Sequence, residues 1–225
     1  MGLSISWLAC RSEASDEVKR QLGCAPTGEF GDYPRLPLVG HVLPSGWYLL
    51  VANRCGHAAI KDATLSVVSQ ISPIVTCSIE EHVNFCSSSY WADNRRIWAV
   101  EHESDRGEFD LRVEGIPPDD LAQIRQSVIH RQASEGGDEP AIDFFFDIPL
   151  ELAKRIVGFR HDERTPGVEA ESFEVLRIVE GGLLTKFSRP WWRFGSHRPS
   201  AFSSAPRVRR KRAGRKPLRR TVIAE

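Results

Sequence analysis

Paired cysteines are missing from this chain. Its five, Cys10, Cys24, Cys55, Cys77 and Cys86, are odd in number and none is spaced CxxC. A disulfide framework or a structural zinc site needs paired, regular spacing, so the expectation is scattered buried thiols in a reducing compartment. Long apolar runs are missing as well. No stretch approaches the roughly 18 residues of a membrane span, and the start has no basic segment followed by an apolar one. Neither secretion nor membrane insertion is expected, and the chain reads as cytoplasmic. The glycine pairs 136–137 and 181–182 belong to no GxGxxG or P-loop pattern, and there is no HExxH. No cofactor is expected.

What is present is enough apolar material for a core: hydrophobic residues make up 41% of the 225, with eleven Phe and six Trp, which excludes disorder of the whole chain. The net charge of zero conceals an asymmetry. From Lys186 onward there are thirteen Lys and Arg against one acid, Glu225, which amounts to +12; residues 1–185 hold 17 bases and 29 acids, which amounts to −12. An acidic body carries a basic arm, and this constrains partners more than any other feature of the sequence.

The period of the apolar residues predicts an α+β fold: a mainly antiparallel sheet with helices packed largely on one side, followed by a disordered basic C-terminal tail. The ordered body is expected over residues 1–186, with Gly115 as the place where two subdomains would meet, and the tail over 187–225. Residues 3–8 alternate as a first strand; the Met1-Gly2 start with Ser6 also fits a loose myristoylation pattern, which chance explains as well. Ser15 opens a helix that Gly23 stops, and residues 26–46 read as a Gly/Pro loop. Trp47–Ala52 is short and apolar throughout, as a buried central strand would be. A second helix starts at Asp62. Extended pieces follow at 74–80, 82–86, 97–102 and 108–114, with turn chemistry at Ser87–Ser89 and at Asp93-Asn94. The longest helix is expected at 117–134. A strand is expected at 142–148, with Asp143 and Asp147 on its polar face, then a helix from Pro149 to Gly158 and an edge strand at 173–179.

Chemistry-bearing residues are sparse. Three triplets set histidine beside carboxylates: Glu80-Glu81-His82, Glu101-His102-Glu103 and His161-Asp162-Glu163. Imidazole with carboxylate can hold a divalent ion or serve as acid and base. If His82 and His102 paired across a hairpin and His161 entered from a later loop, a metal-dependent hydrolase would follow; otherwise these are charged strand ends. In the tail, Arg207, Arg209, Arg210, Lys211, Arg212, Arg215, Lys216, Arg219 and Arg220 could neutralise phosphates and hold nucleic acid without reading its sequence. The arm could equally fold back on the acidic body or be a dispensable extension. Trp191 and Trp192 at the boundary are candidate partner anchors or pins onto the body. No catalytic signature is present, so an enzyme is not the leading expectation. That expectation is a protein-binding module engaging a protein partner, of the inhibitor or immunity type that masks a basic protein, with a nucleic-acid-associated protein tethered by its tail as the alternative.

Overall fold

The computed structural model describes residues 2–33, 35–107, 109–135 and 143–187. The tail residues Arg207–Arg220 and the anchors Trp191 and Trp192 lie outside them. Nine strands form one sheet: β1 (Ser4–Arg11), β2 (Cys24–Gly31), β3 (Leu38–Val42), β4 (Trp47–Ala52), β5 (Ile74–Glu80), β6 (Phe85–Ala92), β7 (Arg95–Glu103), β8 (Arg112–Gly115) and β9 (Phe173–Ile178). Their order is β2-β9-β3-β4-β1-β5-β6-β7-β8, and every ladder is antiparallel. The helices are α1 (Ser15–Leu22), α2 (Asp62–Val68), α3 (Asp120–Glu135), α4 (Asp147–Val157) and α5 (Leu183–Phe187). The fold is therefore α+β. None of the helices among the described residues is long and apolar enough to cross a membrane.

The two longest helices, α3 and α4, share one face of the sheet, and the short α1, α2 and α5 cover the other. Val18 and Leu22 of α1, Leu65 and Val68 of α2 and Leu183 and Leu184 of α5 pack on Leu8, Cys10, Leu50 and Ala52. On the opposite face, Leu150, Ala153 and Val157 of α4 meet Trp7, Val51 and Cys77. Ile148 and Leu152 of the same helix join Ile124 and Val128 of α3 over Trp98 and Val100. Covering both faces explains why β4 is apolar without alternation, and why nearly every side chain of β1 and β5, their serines and threonine included, is buried too. Each fully buried leucine or valine here contributes about 1.5–3 kcal/mol. Gly115 is the last residue of β8 and pairs with Trp98, inside the unit Met1–Arg189.

Local chemistry sets the turns. Gly23 closes α1 at φ 77°, where a Cβ would come within 2.5 Å of the Gly182 Cα. The β6–β7 hairpin turns on Asp93-Asn94, at φ 50° and 65°, between the paired Ala92 and Arg95.

Several expectations give way. The piece at 173–179 is not an edge strand, because β9 lies between β2 and β3. Of the strand expected at 108–114, only the part from Arg112 pairs, as β8. The stretch 26–46 is not all loop: it holds most of β2, and all of β3. Pro26 and Gly28 pointed to a loop, yet an edge strand tolerates proline because one row of its N–H groups needs no partner. In β3, Gly40 lies beneath Tyr48, where a Cβ would sit 1.8 Å from the phenol oxygen. Ser87–Ser89 is mid-strand, paired with Ser78, Cys77 and Thr76. Residues 143–148 are not a strand: Phe144–Phe146 form a 3-10 turn running into α4, and burying Phe144 and Phe145 against α3 outweighs their β propensity.

All five cysteines are free, and four are buried; the exception, Cys55, is half-buried. Burial pushes the Cys10 and Cys24 thiols up to about 12 and raises Cys86 well above its ordinary value. The Cys77 and Cys86 sulfurs sit 3.9 Å apart beneath α4. Native protein treated with a thiol reagent is therefore expected to label quickly at Cys55 alone, and at all five positions once denatured. Rapid labelling of a second thiol in the native state would contradict this packing.

Candidate functional site

The three histidines do not come together. His82 sits in a 3-10 turn, Glu81–Val83, half exposed, with its Nδ1 2.6 Å from Glu80 Oε1. The hairpin pairing with His102 does not form, because the two-residue turn at Asp93-Asn94 sets a register in which His102 faces Cys86. His161 lies in the segment after α4. Among the described residues, no group of three or more His, Cys, Asp or Glu side chains could hold a metal ion.

His102 has no exposed surface. Its Nε2 is 2.8 Å from Asp143 Oδ2 and its Nδ1 is 2.6 Å from the Asp110 carbonyl oxygen. Two acceptors flank the ring, so it donates at both nitrogens as an imidazolium. Burial opposes that charge, but the bonds to Asp143 and to the Asp110 carbonyl outweigh it and hold the His102 pKa above its ordinary value. Burial likewise works against the Asp143 carboxylate, and donation from His102 and Ser104 more than compensates, lowering its pKa. A serine, a histidine and an aspartate thus meet, but not as a nucleophilic triad. Ser104 Oγ donates to Asp143 rather than to the imidazole, so nothing removes its proton. The cluster fastens the 143–146 segment to β7. Asp143, which strand periodicity would have placed on a polar outer face, is turned inward.

A second polar assembly anchors the segment after α4. Arg160, almost buried, bonds Asp147 at 2.6 Å, Glu151 at 2.5 Å and Asp162 at 2.6 Å. This guanidinium fixes the backbone on either side, which places Phe159 and His161 on the sheet.

Beside them is a cavity of about 400 Å³, lined by Leu3, by Asp32 and Tyr33 from the loop after β2, by Phe159–Glu169 residues from the segment after α4, and by Phe173 of β9. Its wall is aromatic. Tyr33 packs against Phe159 and Phe173 with ring centroids 5.6 and 4.9 Å apart, and Trp7 backs Phe159 edge-on at 5.8 Å. The Tyr33 hydroxyl donates to the His161 carbonyl at 2.8 Å. Burial, with Asp32 and Asp162 nearby, pushes its pKa up to about 12, so it remains a neutral donor.

The His161 side chain is 1% exposed. Its Nε2 lies 3.2 Å from Glu81 Oε1, whose other oxygen accepts the Leu3 N–H at 2.7 Å. Glu81 therefore orients the ring with its proton on Nε2. Nδ1 has no hydrogen-bond partner; Asp162 Oδ1, at 3.8 Å, is beyond bonding range. Around the mouth stand Asp32, Glu163, Arg164 and Glu169. Glu163 is already bonded to Lys154 at 2.7 Å, which leaves two carboxylates facing one guanidinium. Such a cavity, with its aromatic wall, can receive an apolar group.

Of these groups, His161 and Glu81 stood in the histidine–carboxylate triplets. Tyr33, Phe159 and Asp32 carried no sequence signal, because only the approach of β9 to the end of β2 brings them together. No protein-family model, no curated protein and no solved structure matches this chain.

Proposed function

We propose that this chain is a non-enzymatic protein-binding module whose acidic body engages a basic protein partner, in the manner of an inhibitor or immunity-type protein. The observation that carries the reading is the −12 charge of residues 1–185. Charge of one sign over a surface accelerates encounter with an oppositely charged protein and suppresses wrong partners. Two features support it. The His102 and Arg160 side chains are engaged in holding structure. Among the described residues, the cavity beside His161 has no group of three or more metal-ligating side chains.

The test uses residues 1–186, which lie inside one compact unit, as bait in the source cell, followed by titration of the purified partner. The expected partner is basic, binds the body without the tail, and associates about tenfold more slowly at high salt than at low salt. Recovery of background proteins alone, or of an acidic partner with salt-independent association, overturns the reading.

A second reading rests on the tail, whose thirteen bases from Lys186 onward suit a nucleic-acid tether. It requires full-length protein to bind a labelled duplex or single strand in a manner that weakens steeply with salt and vanishes on truncation to 1–186. Equal or absent binding by both forms eliminates it.

A further inference from the structure

We infer that β8 is a self-pairing edge, along which a second copy of this chain adds its own β8 antiparallel about a two-fold axis through Val113. The inference is independent of the proposed basic partner and of the cavity beside His161.

The two ends of the sheet differ. β2, at one end, is blunted by Pro26 and by a register shift between Pro26 and Phe30. β8, at the other, pairs with β7 in unbroken register and contains no proline, and all four of its residues are exposed. Apolar groups gather around it. Ile116, just past its end, is 85% exposed, Phe109 61% and Val113 44%. Beside the strand runs a groove of about 500 Å³, lined by Leu111, Val113, Pro117, Pro118, Leu121 and Ala122. An open edge flanked by apolar groups is a template for another strand.

Hydrogen-bond parity and charge decide which strand and which register. In an antiparallel sheet, alternate residues of a strand bond to opposite neighbours. The Ser104 N–H bonds the Asn84 carbonyl on the β6 side at 3.3 Å, so Val100 and His102 bond toward β6, and Ala99 and Glu101 toward β8. Their partners Glu114 and Arg112 bond inward, which leaves the N–H and C=O of Val113 facing out of the edge. An axis between two residues would set Val113 against a residue that bonds inward. An axis at 112 sets Arg112 against Arg112, and one at 114 sets Glu114 against Glu114. The axis through Val113 sets Arg112 of each copy opposite Glu114 of the other, and lets the two Val113 residues exchange both backbone bonds. Within each copy Arg112 donates to Glu101 at 3.3 Å and Arg96 donates to Glu114 at 2.7 Å. The row Glu101, Arg112, then Glu114 and Arg96 of the second copy therefore alternates in sign across the seam. On the other face Val113 meets Val113, continuing the apolar row from Val100.

Sedimentation of the full chain tests the inference. The mass is expected to rise reversibly from 25.3 kDa toward twice that value between about 1 µM and about 500 µM, the range of a short edge contact. Arg112→Glu sets two glutamates opposite each other and Glu114→Arg sets two arginines, so each variant alone is expected to associate at least about tenfold more weakly. Mixed together, the two variants are complementary at both positions and are expected to pair with each other. Arg112 and Glu114 are 59% and 63% exposed, so both variants are expected to melt cooperatively. Amide exchange of the unaltered chain needs no variant. Exchange at Val113 is expected to slow as concentration rises, while Arg112 and Glu114, already bonded to β7, stay unchanged.

A chain that remains monomeric at the highest concentration overturns the inference. So does association that ignores both variants, as attraction between tail and body or contact through another face would give. Failure of the mixed variants to pair, or unchanged exchange at Val113 in the associated protein, overturns it as well.

Discussion

Arg160→Ala is expected to destabilise the chain by about 3 kcal/mol, the lower end of the range for leaving buried charge unpaired. The Arg160 side chain is only 10% exposed and answers four carboxylates, bonding Asp147, Glu151 and Asp162 and lying 3.6 Å from Glu163, which Lys154 also holds. Asp162, at 44% exposure, rehydrates when the guanidinium leaves, and Glu151 does so in part; Asp147, at 18%, does so least and also loses a partner at the first turn of α4. Arg131 remains on Asp147 at 3.3 Å, which limits the loss. In a chain of this size such a change lowers the melting temperature by roughly 6–12 °C. Arg160→Lys keeps the charge but not the planar fork, and is expected to restore less than half of the difference. Urea titration of the three proteins decides the matter. A loss below about 1 kcal/mol in the alanine variant would mean that water replaces the guanidinium without strain.

The second large effect concerns His102 and Asp143, and it depends on pH. The His102 pKa is raised above 6.5, so its stabilisation is complete below that value and disappears as pH climbs through the folded-state pKa. The Asp143 pKa is lowered below 3.8, so its stabilisation is complete above that value and disappears as pH falls through the folded-state pKa. The pair is therefore worth most between about pH 4 and 6.5. Asp143→Asn, measured against the unaltered chain, is expected to cost about 3 kcal/mol in that window and progressively less on either side of it. Taking the difference at each pH removes His57. Burial, with Arg54 nearby, lowers its pKa to about 4, so it contributes with the opposite sign, losing stabilisation as pH falls from 6.5. A flat difference from about pH 5 to 9 would show that His102 is neutral in the folded chain.

Much of the fold was legible because the signals were local. The alternation of residues 3–8 marks β1. The apolar run Trp47–Ala52 marks a strand buried on both faces. Gly23 and Gly158 stop α1 and α4 in left-handed conformations, at φ 77° and 81°, and Asp93-Asn94 turns the β6–β7 hairpin. What was not legible was set by partners far along the chain. β9 inserts between β2 and β3, more than 120 residues away, and this makes strands of segments rich in Pro and Gly. Asp143 looked like an outward-facing strand residue until the 143–146 segment folded under α3 and turned it onto His102. The histidine triplets contained His102 and His161 but did not show their separate surroundings, because register and burial decide which nitrogen finds which acceptor.

The sequence by itself determined the α+β class, the antiparallel pairing of neighbouring strands, the ends of most helices and the division into acidic body and basic arm. Each of these follows from composition, from period, or from residues that restrict φ and ψ within a few positions. The tertiary structure alone decided the strand order, the covering of both sheet faces, and the inward turn of Asp143. It also decided the cavity in which Tyr33, Phe159, Phe173 and His161 meet. Those depend on contacts between segments distant in sequence, whose free energy comes from burial and desolvation in the assembled core, and neither quantity is written in any local run of residues.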